Sequence, residues 1–250
     1  MKTIAISGKG GTGKSTISAL MVRWLSEHNA GSILAVDADS NVNLNVLLGI
    51  EIRDTVGAIR EEMKQTLSNL PGGMSKAQFL EYKIQTSLVE TPSYDLIAMG
   101  RPEGPGCYCY ANNLLRDILQ TLSAQYQYII IDNEAGMEHL SRRTILKIDS
   151  LLIVSDPTVR GVRTASNISH LLSELDIRIG EKNIIVNRLH GKVPSIVNQT
   201  LEEEHLELGL TIPEDDALFQ MEQQGYSVWT LPDSSLAFLA VDKWMKNFIH

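Results

Sequence analysis

The run Gly8-Lys9-Gly10-Gly11-Thr12-Gly13-Lys14-Ser15-Thr16 lies between the apolar stretch Ile4-Ala5-Ile6 and a helical stretch from Ile17 to Leu25, and it constrains the chain more than any other feature. A buried strand that ends in glycines and restarts as a helix leaves backbone N–H groups pointing into one concavity, where the helix dipole adds partial positive charge. Anionic phosphates fit there. Gly8, Gly10, Gly11 and Gly13 can take backbone angles closed to other residues, Lys14 can reach the β- and γ-phosphates, and Ser15 can place a hydroxyl on Mg²⁺. Lys9 is a second lysine that phosphate binding does not require.

With 250 residues, the chain can bury about 70 to 75% of the surface its unfolded form would expose, so a single domain over 1–250 suffices. A hydrophobic share of 43% and a charged share of 21% place it among ordinary globular proteins. The net charge of -8 and the lack of a Lys/Arg cluster argue against a broad nucleic-acid footprint, which needs a basic stripe. Apolar runs are strand-sized and no signal-peptide pattern precedes the first strand, which predicts a cytoplasmic protein without a membrane partner. The two cysteines, Cys107 and Cys109, are too few for a secreted disulfide framework and read as ligands or redox thiols.

Continuous apolar strands alternate with amphipathic helices along the chain, as in a doubly wound α/β fold with a mainly parallel sheet, helices on both faces and ligands at the carboxyl ends of the strands. Strands are expected at 32–37, 94–99, 128–132, 149–155, 182–188 and 208–212, and helices at 75–88, 112–122, 160–175 and 234–249. Helix and connection fill 43–74, with Ile59, Met63 and Leu67 on one face and Pro71-Gly72-Gly73 at its end. Asp37 and Asp39 follow the second strand, either near the phosphates or as caps of the next helix. Asn187 can discriminate bases, because a side-chain amide both donates and accepts, and no guanine motif is present, so ATP is favoured over GTP. Pro213-Glu214-Asp215-Asp216 opens a helix with acids at its positive end.

The glycine-rich loop from Gly100 to Tyr110 carries the C-x-C pair. Residues at i and i+2 of an extended segment point the same way with Cα atoms about 6.6 Å apart, a spacing that strains a disulfide but lets two thiolates chelate a soft or borderline metal. A closed tetrahedral site needs four ligands, and His139, His190 and His205 are isolated, so a second copy of the chain across a two-fold axis would have to supply the other pair. The other reading, two small buried residues opening a helix, stays open.

The segment Lys9 to Thr16, K-G-G-T-G-K-S-T, resembles the deviant Walker A loop of the MinD, ParA and nitrogenase iron protein superfamily of ATPases. That resemblance implies that Lys9 reaches across a dimer to the other subunit's nucleotide and that Asp39 orients or activates the attacking water. It also implies that Asp37 and Asp132 hold Mg²⁺ through water, that Gly136 senses the γ-phosphate, and that Asn187-Arg188 and the segment Pro213-Glu214-Asp215 meet the adenine. The runs Gly100 to Leu115, Asp132 to Arg143 and Ser155 to Gly161 are similar to the CooC-type accessory ATPases, and they share a departure, Asp-Asn-Glu-Ala-Gly in place of Asp-Thr-Pro-Ala-Gly, which leaves the roles of Asn133 and Glu134 open. The likeness implies an ATP-hydrolysing homodimer with Ni²⁺, or Zn²⁺ in the same place, held by Cys107 and Cys109 between subunits. Its client would be carbon monoxide dehydrogenase or acetyl-CoA synthase. The alternatives are a MinD-like ATPase that cycles on membranes through its terminal helix, and an iron–sulfur ATPase like the nitrogenase iron protein.

Overall fold

The computed structural model describes residues 1–66, 73–101, 115, 117–133, 147–174 and 177–249. The first half runs β1 (Lys2–Gly8), α1 (Lys14–Glu27), β2 (Ile33–Ala38), α2 (Leu44–Leu48), α3 (Val56–Thr66), α4 (Lys76–Ser87), β3 (Val89–Glu90), β4 (Asp95–Ala98) and β5 (Tyr128–Asn133). The second half runs β6 (Ile148–Ser155), α5 (Val159–Ser173), β7 (Ile179–Leu189), α6 (Ser195–Glu203), β8 (Leu208–Pro213), α7 (Asp216–Gln224) and α8 (Leu236–Ile249). The strands form one sheet in the order β3-β4-β2-β5-β1-β6-β7-β8. Every neighbouring pair is parallel except β3 with β4.

Both faces of this sheet are covered, which is why the strands read as apolar runs without alternation. On one face Ile4, Ile6 and Ile130 pack with Leu20 and Trp24 of α1 and with Phe238, Val241 and Met245 of α8. On the other, Ala5, Ile97, Ile129 and Ile153 pack with Ile59 of α3, Ile118, and Val162 of α5. The apolar face predicted for the terminal helix is therefore spent against the sheet and α1. Among the described residues no helix is long and apolar enough to cross a membrane.

Within the described residues the expected elements are present, with four differences, one of them α6 (Ser195–Glu203), where no helix was expected. The strand read as 182–188 extends over Ile179–Leu189, because Gly180 lies flat against β6, where a Cβ would sit 2.6 Å from the Asp149 carbonyl. Backbone proximity of that kind leaves no hydrophobic signature. β3 has two residues, too few for any pattern, and pairs antiparallel with β4 at the sheet edge. The stretch 43–74 resolves into α2 and α3, with Ile59 buried as expected. The Met63 side chain, Leu67, Pro71-Gly72, residues 102–114 with Cys107 and Cys109, and 134–146 with Glu134, Gly136 and His139 lie outside the described residues.

Candidate active site at the phosphate loop

β1 sits at the centre of the sheet and delivers the loop of residues 8–13 onto the first turn of α1. Gly8 adopts φ +145° and passes so close to β6 that a Cβ would meet the Val154 carbonyl oxygen at 2.4 Å. Gly13 adopts φ +94° immediately before the helix. No acidic residue occupies the first turn of α1, so the positive end of its dipole is left to a bound anion. Lys14 is buried and its Nζ donates to the Lys9 carbonyl at 3.2 Å, an oxygen that also accepts from Thr12 Oγ1 at 2.8 Å. The Lys9 side chain is exposed on the crest of the same loop. The side chains of the two lysines thus lie in different surroundings, one buried and one exposed.

Two carboxylates stand opposite, because β2 and β5 are neighbours with Asp37 and Asp132 in register. Asp37 is fully buried, and it accepts from the backbone N–H groups of Asp39 at 3.1 Å, Asn43 at 3.0 Å and Leu44 at 2.9 Å. These contacts are the capping role left open by the sequence. Burial pushes the Asp37 carboxyl up to about 6 against the pull of those three donors. Asp132 is 1% exposed, and neither of its carboxyl oxygens has a hydrogen-bond partner. Burial pushes it up to about 7; Ser15 and Lys14 pull the other way, while the charges of Asp37 and Asp39 add to the rise. The Ser15 hydroxyl polarises the site without meeting either carboxyl oxygen in hydrogen-bond geometry.

A buried carboxylate left unpaired costs free energy that a cation recovers. The donors at hand are hard oxygens, Ser15 Oγ and the two Asp132 oxygens, which suit a hydrated Mg²⁺ that keeps most of its waters. Asp39 is half-buried, its Oδ1 accepts from Asn41 N at 2.7 Å, and its charge acts on both Asp37 and Asp132.

The ends of β7 and β8 close the other side. Asn187 Nδ2 donates to the Thr12 carbonyl at 2.8 Å, and Arg188 Nη1 donates to the Gly11 carbonyl at 3.2 Å. Glu214 pairs with His190, and its backbone N–H donates to the Leu189 carbonyl at 3.1 Å. Asp215 caps α7 through Ala217 N and Leu218 N, and its second oxygen accepts from Ser235 Oγ and Ala237 N at the start of α8. Two further residues also join the site, Glu222, which had no sequence signal, and Asn133, whose role the sequence left open. Glu222 of α7 accepts from Thr16 Oγ1 at 2.6 Å across 206 positions, a separation that no motif spans. Asn133 is fully buried and donates to the Ile6 carbonyl at 2.9 Å, tying the end of β5 to the strand that carries the loop.

A family model described as an AAA domain matches residues 1–185. An uncharacterized ATP-binding protein of Methanocaldococcus jannaschii is 39% identical over 249 residues, covering 99% of this chain and 98% of that protein. The carbon monoxide dehydrogenase accessory protein CooC of Rhodospirillum rubrum is 32% identical over 243 residues, covering 91% of this chain and 89% of its own length. The solved structure of a ParA family ATPase from Chlorobium tepidum TLS superposes with a TM-score of 0.73 at 23% identity, over 97% of this chain and 96% of that one, a likeness of fold alone.

Proposed function

The chain belongs to the family described as an AAA domain, and from that premise we propose an ATPase of the MinD/ParA type, a nucleotide-dependent dimeric metallochaperone that carries nickel to carbon monoxide dehydrogenase or acetyl-CoA synthase. Its chemistry is ATP hydrolysis. Lys14 and the open end of α1 would neutralise the phosphates, and Asp39 would orient the attacking water, a service phosphoryl transfer needs more than covalent help. Ser15 and Asp132, with Asp37 behind them, would hold Mg²⁺, which screens the charge of the β- and γ-phosphates when bound. Lys9, exposed on the loop crest, is free to answer a second subunit's nucleotide.

The nickel reading is carried by one conjunction. A chain similar along nine-tenths of its length to a carbon monoxide dehydrogenase accessory protein also has its two cysteines spaced as C-x-C. An iron–sulfur role needs cysteines on separated loops, and this sequence has them at 107 and 109 alone. A membrane-cycling role needs a free amphipathic helix, whereas Phe238, Val241 and Met245 of α8 are buried.

Calorimetric titration of Ni²⁺ or Zn²⁺ into the nucleotide-loaded protein tests the proposal. Wild type should take up about one ion per two chains, the count for paired C-x-C ligands on a two-fold axis. The variant Cys107→Ser/Cys109→Ser should take up none at that affinity. Equal stoichiometry and affinity in both would remove the metal site.

A further inference from the structure

We infer that Asn133 is a positioning residue that sets how tightly Asp132 takes its magnesium ion, by tying the end of β5 across the sheet to β1. Its Nδ2 donates to the Ile6 carbonyl of β1 at 2.9 Å and to the Ile131 carbonyl of its own strand at 3.3 Å. Two carbonyls on that side fix which way the amide lies, since the reverse setting would press an oxygen against both. The side chain is fully buried, and its Oδ1 has no hydrogen-bond partner. An unpaired buried acceptor costs free energy that an apolar side chain of the same shape would not. The fold bears that cost at the residue that follows Asp132 in β5, and what it gains there is the donor.

The tie falls where the register of the two strands runs out. The β1–β5 pairing ends at Ile6 with Asp132. Two residues on, Gly8 at φ +145° has carried β1 against β6, where a Cβ would meet the Val154 carbonyl oxygen at 2.4 Å. On its other edge the end of β5 stays in register with β2, Asp132 beside Asp37 and Asn133 beside Ala38. Asp132 is therefore held by strand pairing on one side and, past its last rung, by an amide on the other. Successive side chains of a strand point to opposite faces. Ile130 packs on the α1 side and Ile131 on the α3 side, so Asp132 faces α1 and Asn133 faces away from it. Asn133 thus acts on the cation only by fixing the backbone that carries the carboxylate. Mg²⁺ demands near-ideal octahedral geometry, and loss of a group that orients a metal ligand costs about 10- to 100-fold in metal affinity.

The inference rests on the ATPase reading, and ADP binding with and without the metal separates the two. ADP affinity is measured calorimetrically in EDTA and across a series of Mg²⁺ concentrations for wild type, Asn133→Leu and Ser7→Ala, with the thermal midpoint of each recorded. Ser7 is the control, a fully buried residue near the end of β1 whose Oγ has no partner to lose. Asn133→Leu should raise the Mg²⁺ concentration at half-effect about tenfold, while its ADP affinity in EDTA equals that of wild type. Ser7→Ala should match wild type in both readings. ADP affinity lowered by the same factor in EDTA and in Mg²⁺ would make Asn133 a packing residue and overturn the inference. An unmoved half-effect concentration in Asn133→Leu overturns it too, as does an equal rise in Ser7→Ala. If wild type binds ADP equally with and without Mg²⁺, the metal assignment of Asp132 falls and this inference with it, while nucleotide binding stands. Wild type that binds no ADP in either buffer would instead sink the ATPase reading. Should Asn133→Leu not fold, Asn133→Ala, which removes the donor without adding bulk, decides by the same two readings.

Discussion

Asp132 is held by the fold in surroundings that oppose its charge, and that opposition is measurable. The unfolded chain ionises this carboxyl near its ordinary value of 3.8, whereas the folded, ligand-free protein keeps the proton up to about 7. Between those two values the folded state binds more protons than the unfolded one, so stability falls as pH rises across the window. Asp37, raised to about 6 by burial, tilts the curve the same way. Asp132→Asn should then stabilise the ligand-free protein at pH 8 by about 1 to 3 kcal/mol, given about 1.4 kcal/mol for each tenfold change in proton affinity and some relief by solvent. That gain should vanish near pH 4, and turnover should be lost throughout. Urea denaturation at the two pH values checks it, and a variant destabilised at pH 8 would refute the assignment of Asp132 as an uncompensated acid. The place of Asp132 at a strand end was legible from the apolar run before it. That Asp37 would accept from a helix start and that Asn187 would donate to the loop was not, because strand position does not specify the direction of a side chain's hydrogen bonds.

At the scale of elements, Asp215 is the joint between α7 and α8. Burial acts to raise its carboxyl, but hydrogen bonds from Ser235, Ala237, Leu218 and Ala217 outweigh it and hold the group below the usual carboxylate range. Its stabilising contribution is therefore present above the ordinary value and lost as pH falls through the lowered one. Asp215→Ala removes the cap of one helix and the anchor of another and should cost about 2 to 3 kcal/mol. Asp215→Asn keeps the acceptor that caps α7 and should cost less. Denaturant midpoints of the pair test this, and equal losses would show that the retained acceptor contributes nothing and that the charged carboxylate makes the joint. The helix start at Asp215-Asp216 was legible from residue type, since short acidic side chains cap N-termini. The reach of its second oxygen to α8 was not, because Ala237 lies 22 positions away. β3 and the early residues of β7 were hidden for a related reason, being defined by pairing and backbone proximity more than by side-chain pattern.

For the whole molecule, the alternation of strand and helix made the parallel sheet and its site edge readable, since only a sheet covered on both faces buries so many unbroken apolar strands. If nucleotide and metal both favour a closed dimer, linkage requires each to tighten the other by the same factor. Metal affinity measured with ATP and without it, and ATP affinity with metal and without it, should give two equal ratios, and Lys9→Ala should bring both toward one. Unequal ratios in wild type, or ratios near one, would separate the thiols from the nucleotide cycle. The position of β1 has a further consequence for how the protein comes into being. It ends at Gly8, yet the strands on either side of it begin at Tyr128 and Ile148. During translation the first strand must wait unpaired while most of the molecule is still unmade, the kind of distant pairing that slows folding and exposes a nascent chain to chaperones. A ribosome-bound fragment ending short of Ile148 lacks β6, β7 and β8, so the strand ends that brace the loop on that side join it only in the second half of synthesis.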